Sequence, residues 1–173
     1  MESPSFQAIG DDSLGFLQIP TTADVGIFSF SQTLEELLDQ TAQGMMSIMA
    51  AGTEIEKLDL HHGTWSSTFD ADIDNDMILI RWLDEVLFRR EVHQQWYVDG
   101  KISLKKTKEH CILFADVVYI DSSDYMPETE IKAVTSHECF TRFIQQEESY
   151  FHDEKSIPEI AGPCWIAQVI FDI

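Results

Sequence analysis

The spacing of apolar positions changes several times along the chain, and each change predicts an element. "VGIFSF" (Val25 to Phe30) is a short apolar run ending in a turn, as a strand would be. In "TLEELLDQTAQGMMSIMAAG", Leu34, Leu37, Leu38, Met45, Ile48 and Met49 recur at helical spacing. Thr33 followed by Glu36 reads as a capping box for that helix, and Gly52 as its stop. "EIEKLDL" and "TWSSTFDADI" alternate as strands do. "DNDMILIRWLDEVLFRREV" predicts a second helix, with Asp74 or Asn75 as N-cap and Leu79, Trp82, Leu83, Val86 and Leu87 on one buried face. "QQWYVDG", "KISLKKT" and "CILFADVVYI" read as strands joined by turns such as Asp99-Gly100. "EIKAVTSHECFTRFI" and "CWIAQVIFDI" supply the last strands. Between them Gln145 to Pro163 is polar and acidic and contains two prolines, which predicts a loop insertion. Residues 1–20 carry little pattern and are expected to form an N-terminal extension to one domain over residues 21–173. This order predicts an α+β fold, two helices packed on a mostly antiparallel sheet.

Composition supports a single well-formed core: 173 residues, 44% apolar, include eleven Phe, four Trp and four Tyr. Charge restricts the partners. The formal net charge is -20, with 31 acidic against 11 basic side chains. Tight binding to nucleic acid needs Lys and Arg clusters to neutralise phosphates, and the nearest such stretch, "KISLKKTK" (Lys101 to Lys108), is short. Direct gripping of RNA or of an anionic membrane is therefore not expected, whereas a basic protein or a metal ion suits the field.

Cys111, Cys139 and Cys164 are odd in number and form no CxxC pair, which points to neither a disulfide framework nor a zinc knuckle. The first twenty residues lack the basic and apolar regions of a signal peptide. The apolar stretch "MILIRWLDEVLF" is interrupted by Arg81, Asp84 and Glu85 and is shorter than the ~20 residues of a membrane span. A cytoplasmic protein is expected.

Several motifs fail on inspection. "DADIDND" (Asp70 to Asp76) suggests a calcium loop, but counting from Asp70 the sixth position is Asn75 where glycine is needed and the twelfth is Arg81 where glutamate is needed. A solvated loop capping the second helix is the better reading. His137-Glu138 begins like a zincin helix, but Thr141 stands where the second histidine belongs. Cys139, two residues from His137 on the same strand, could face it and act as a nucleophile, although a free cysteine is more often a small core residue.

The end "VIFDI" poses a sharper question, since Asp172 stands beside the terminal carboxylate of Ile173. Two such groups repel each other unless a cation or hydrogen-bond donors compensate. Asp24 opens the first strand and Asp172 closes the last, so antiparallel pairing of the two would bring all three carboxylates together. Oxygen donors of this kind suit Mg²⁺, Mn²⁺ or Ca²⁺. The alternative is that Asp24 caps a turn and Asp172 extends into solvent, and spacing alone leaves both open.

"TTADVGIFSFSQTLEELLDQTAQGMMSIM", "LIRWLDEVLF", "EIKAVTSH" and "WIAQVIFDI" resemble, in order and spacing, the sequence blocks of the archease family, from about Thr22 to Ile173. The resemblance implies a strand-helix-strand-strand fold with an inserted segment. It implies a role as a non-enzymatic activator of the RtcB-type RNA ligase of tRNA splicing, promoting GTP-dependent guanylylation and multiple turnover. It also implies a divalent metal, calcium in the family, on Asp24, Asp172 and Ile173, with Lys132 and His137 of "KAVTSH" on the partner or nucleotide face. The chain departs from the family where Pro20-Thr21 replaces a histidine before "TAD", where Ser136 replaces tyrosine, and in the length of Gln145 to Pro163. Two other classes of function remain as alternatives: a metal-dependent hydrolase or phosphoesterase using Asp24 and Asp172, and a chaperone-like binding module.

Overall fold

The computed structural model describes residues 14–20, 24–50, 59–124, 127 and 129–173. Nine strands and two α-helices are formed among them, in the order β1 (Gly15–Pro20), β2 (Val25–Ser31), α1 (Leu34–Met49), β3 (His61–Asp70), α2 (Asn75–His93), β4 (Gln95–Lys106), β5 (His110–Asp121), β6 (Ala133–Ile144), β7 (Ser149–Tyr150), β8 (Ile160–Ala161) and β9 (Cys164–Asp172). The α+β class is as the sequence predicts. The strands, however, divide between a four-stranded sheet, β1-β2-β9-β6, and a three-stranded sheet, β3-β5-β4, with β7 and β8 as a separate hairpin. Every strand pairing among the described residues is antiparallel.

Both helices start on the chemistry expected of them. Thr33 Oγ1 accepts the Glu36 N–H and the Glu36 carboxylate accepts the Thr33 N–H, which satisfies two otherwise orphaned donors at the head of α1. Asp74 Oδ1 caps α2 by accepting the Met77 N–H at 2.8 Å. Helix α1 closes at Ala50, and the expected stop at Gly52 and most of the strand "EIEKLDL" lie outside the described residues.

Inner faces of the two sheets and the apolar stripes of both helices share one core. Ile27, Val169 and Phe171 come from the four-stranded sheet, Trp65, Leu113 and Val117 from the three-stranded one, and Leu38, Met45, Trp82 and Leu83 from the helices. The Trp82 indole N–H donates to the Leu38 carbonyl at 3.1 Å, so its one polar atom is satisfied inside that core. A second cluster covers the outer face of the four-stranded sheet, where Ile19, Phe28, Ile144 and Ile166 pack against Ile157 and Ile160. Those last two residues belong to the acidic segment 145–163. The expected loop insertion is thus a folded cover, polar outward and apolar where it meets the sheet.

Two expectations about strands need correction. The stretch 1–20, read as an extension, ends in β1, an edge strand paired along its length with β2 and contributing Ile19 to the outer cluster. Its alternation was obscured because Phe16 packs toward one core and Leu17 toward the other. Asp99-Gly100, read as a turn, lies inside the unbroken strand β4, where Val98 is an extra residue between the pairs Tyr97–Tyr119 and Asp99–Val118. A bulge and a tight turn both favour this dipeptide, and the partner strand β5 decides between them. The hairpin turn falls instead at Thr107–Glu109, where Thr107 Oγ1 accepts the His110 N–H at 3.0 Å.

The bulge serves a buried carboxylate. Asp39 of α1 is inside the protein, where its Oδ1 accepts the Tyr97 hydroxyl at 2.6 Å and its Oδ2 accepts the Gln43 amide at 2.9 Å. Burial is the larger effect and pushes Asp39 up to about 6, while these hydrogen bonds pull the other way. A carboxyl group whose pKa is raised on folding binds its proton more tightly in the native state. Its contribution is therefore fully present below the ordinary carboxylate range and is lost as pH rises through about 6. Urea denaturation of the wild type and Asp39→Asn between pH 4 and 7 tests this. The wild type should lose on the order of 3 kcal/mol more than the variant across that interval, and parallel curves would refute the assignment.

Candidate functional site at the end of the four-stranded sheet

Strand β2 lies beside β9 in a register that pairs Val25 with Phe171 and Gly26 with Ile170. One step beyond Val25–Phe171 stand Asp24 and Asp172, both exposed. Side chains alternate across a strand, so Asp172 lies on the face opposite Phe171, which is turned into the main core, while Asp24 immediately precedes β2. On its other side Asp172 is paired with Ala133, at the start of β6.

Lys132 precedes that pair and fastens the strand end twice. Its main-chain N–H donates to the Asp172 carbonyl at 2.8 Å, and its ammonium donates to the main-chain oxygen of Ile173 at 3.0 Å. The structure therefore gathers Asp24, Asp172, Ile173 and Lys132 at one end of one sheet. The charge repulsion posed by "VIFDI" is relieved in part by that ammonium. Oxygen donors of Asp24 and Asp172 fit a hard divalent ion. Among the described residues no three His, Cys, Asp or Glu side chains gather to hold a metal by themselves. A cation here would draw further oxygens from the main chain, from water or from a partner.

His137 lies a few residues further along β6, in a wide bulge. The pairing passes from Thr135–Ile170 directly to Phe140–Gln168, leaving Ser136, His137, Glu138 and Cys139 facing a single residue of β9. Glu138 has φ 52°, in the left-handed region. The His137 ring is exposed, with Nε2 3.5 Å from the Glu138 carboxylate, an ion pair when the ring is protonated. The bulge is anchored at its far end by α2, whose Asp76 Oδ1 accepts the Thr141 N–H at 2.6 Å.

The bulge also removes the nucleophile reading of Cys139. His137 faces solvent, whereas Cys139 packs against the main core. Burial and the carboxylates of Asp76 and Asp74 push its thiol up to about 12, away from the thiolate a nucleophile needs. Alkylation of the native protein with iodoacetamide at pH 7.5, followed by peptide mass spectrometry, should label Cys139 at least ~100-fold more slowly than a small-molecule thiol. Labelling at the rate of a free thiol would contradict this picture.

Gln168 and His152 are features of this region that sequence reasoning passed over. Gln168 occupies an outer-face position of β9 between Ile166 and Ile170, and a polar residue at a buried strand position was the available signal. Asp39 carried no comparable local signal, because its neighbours one turn away on α1 include Glu35, Glu36 and Gln43.

Comparison with known proteins agrees with this architecture. The family described as "Archease protein family (MTH1598/TM1083)" matches residues 16–173. The chain belongs to the archease family. Curated relatives named "Protein archease" include one from Pyrococcus abyssi, 23% identical over 154 residues, covering 88% of this chain and 94% of the relative. Another, from Pyrococcus furiosus, is 24% identical over 157 residues with the same coverage of the two chains. The solution structure of Methanobacterium thermoautotrophicum protein 1598 superposes with a TM-score of 0.61 at 23% identity, covering 92% of this chain and 99% of that one. The fold is therefore shared with that protein. The replaced histidine position, Thr21, lies outside the described residues, and Pro20 ends β1, at the sheet's edge, where proline is tolerated. No helix among the described residues is long and apolar enough to cross a membrane.

Proposed function

We propose that this chain is a non-catalytic activator of an RtcB-type RNA ligase, and that it presents the end of its four-stranded sheet to the ligase's guanylylation centre. Family membership supports the kind of role. The observation that supports particular residues is the β2–β9 register, which ends at Val25–Phe171, one residue from Asp24 and one from Asp172. In this reading Asp24, Asp172 and the carboxyl group of Ile173 hold a divalent cation, calcium by family resemblance, with Mg²⁺ or Mn²⁺ meeting the same donors. When bound, the ion supplies positive charge with coordination positions open to further oxygen atoms. Lys132 holds the strand end in place through its two hydrogen bonds and adds a second positive group beside it. His137, exposed on the bulge nearby, faces the partner or its nucleotide. The net charge of -20 leaves RNA to the ligase and draws the activator toward basic protein surface.

The test is the rate of ligase guanylylation with GTP and divalent metal, alone, with the wild-type protein, and with Asp24→Ala. Asp24 is exposed, so its removal should leave the thermal midpoint within ~2 °C of wild type. The wild type should accelerate guanylylation and the variant should not. Equal acceleration by both would remove the metal site from the account. No acceleration by either would favour the hydrolase or binding-module alternatives.

A further inference from the structure

Gln168 carries an amide into an apolar layer, and both ends of that amide are used. It is 7% exposed, between Ile166 and Ile170 on the outer face of β9. Its Oε1 lies 2.6 Å from Nε2 of His152, and its Nε2 donates to the main-chain oxygen of Glu138 at 3.0 Å. The other nitrogen of the His152 ring, Nδ1, accepts the Glu154 N–H at 2.8 Å. That fixes the tautomer: Nδ1 is bare, so Nε2 bears the proton and donates it to Gln168. The ring itself is wedged edge-on against Phe28 and Tyr150, at centroid distances of 5.5 and 6.1 Å. A continuous polar chain thus runs from the acidic insertion, through the central strand, to the bulge of β6.

The bulge needs such support. Ser136 to Cys139 have no pairing with β9, and β6 is an edge strand of its sheet. Glu138, with its positive φ, is the residue whose carbonyl Gln168 holds. Unpaired backbone on an edge strand opens easily unless a side chain substitutes for the missing ladder partner.

We propose that Gln168 is a positioning residue for the partner-facing bulge, and that the insertion 145–163 is the strap that seats it through His152. The chain from His152 to Gln168 to Glu138 sets where Ser136 and His137 stand relative to Lys132 and Asp172. The functional half of this proposal rests on the activator reading; the structural half does not. It assigns a use to the insertion, which packs against the outer face of the sheet through Ile157 and Ile160.

The experiment compares wild type, Gln168→Leu and His152→Ala by native-state hydrogen exchange and by titration against the ligase in the guanylylation assay. Gln168→Leu should speed exchange of the amides that bound the bulge, Thr135, Phe140 and Thr141, about tenfold or more. It should raise the concentration giving half-maximal activation severalfold, leaving the maximal rate and calcium affinity unchanged. His152→Ala should loosen the Glu154 amide and the bulge together, and it decides the matter if Gln168→Leu does not fold. Unchanged exchange of the amides bounding the bulge in both variants would overturn the positioning role. Faster exchange with an unchanged half-maximal concentration would overturn the partner-facing role alone. If the wild type gives no activation, the activator reading falls, and the exchange data still decide whether Gln168 positions the bulge.

Discussion

Antiparallel pairing of β2 with β9 is the constraint from which the rest of the site follows. It joins a strand near the start of the described chain to the last one, so that residues far apart in sequence share one sheet end. Gly26 lies within that pairing, where a Cβ would stand 2.7 Å from the Ile170 side chain and 3.2 Å from the Val169 carbonyl. The glycine of "TADVGI" is thus a requirement of close strand packing, and it sits two residues from the aspartate that the pairing delivers. A slip of one residue in this register would turn Ile27 and Val169 out of the main core and separate Asp24 from Asp172. Core packing therefore enforces the arrangement of the carboxylates.

The same sheet has two buried faces, which is unusual work for a four-stranded antiparallel sheet in a small domain. Helices α1 and α2 supply the inner cover, and the insertion supplies the outer one. Burying both faces removes water from Gln168, so its amide must find protein partners, and the partners it finds belong to the insertion and the bulge. The sheet's end, with Asp24, Asp172 and Lys132, and the bulge with His137 are exposed. These groups lie at a margin of the sheet that packing does not cover.

Much of this was legible from local pattern. Capping chemistry at Thr33 and Asp74 and the helical spacing behind each gave both helices, because caps and amphipathic faces are encoded within a few residues. That Asp24 and Asp172 fall at one end of one sheet was expected from antiparallel pairing of the first and last predicted strands, the pairing that β2 and β9 form. Bulges did not follow: Val98 and the stretch Ser136 to Cys139 are irregular only relative to their partners β5 and β9. The split into two sheets was equally hidden, since hydrophobic period gives a strand's faces but not its neighbours. Buried Asp39 and Gln168 were missed for a related reason. Each is tolerated by partners distant in sequence, Tyr97 for one and His152 for the other.

The most direct test of the juxtaposition is a calcium titration by calorimetry on the wild type, Asp24→Asn, Asp172→Asn and the double variant. Two carboxylates on one ion should be strongly non-additive: each single change should remove most of the affinity, and the second should cost little more. Independent, additive losses, or undiminished binding in either single variant, would mean that the β2–β9 register does not build a shared cation site.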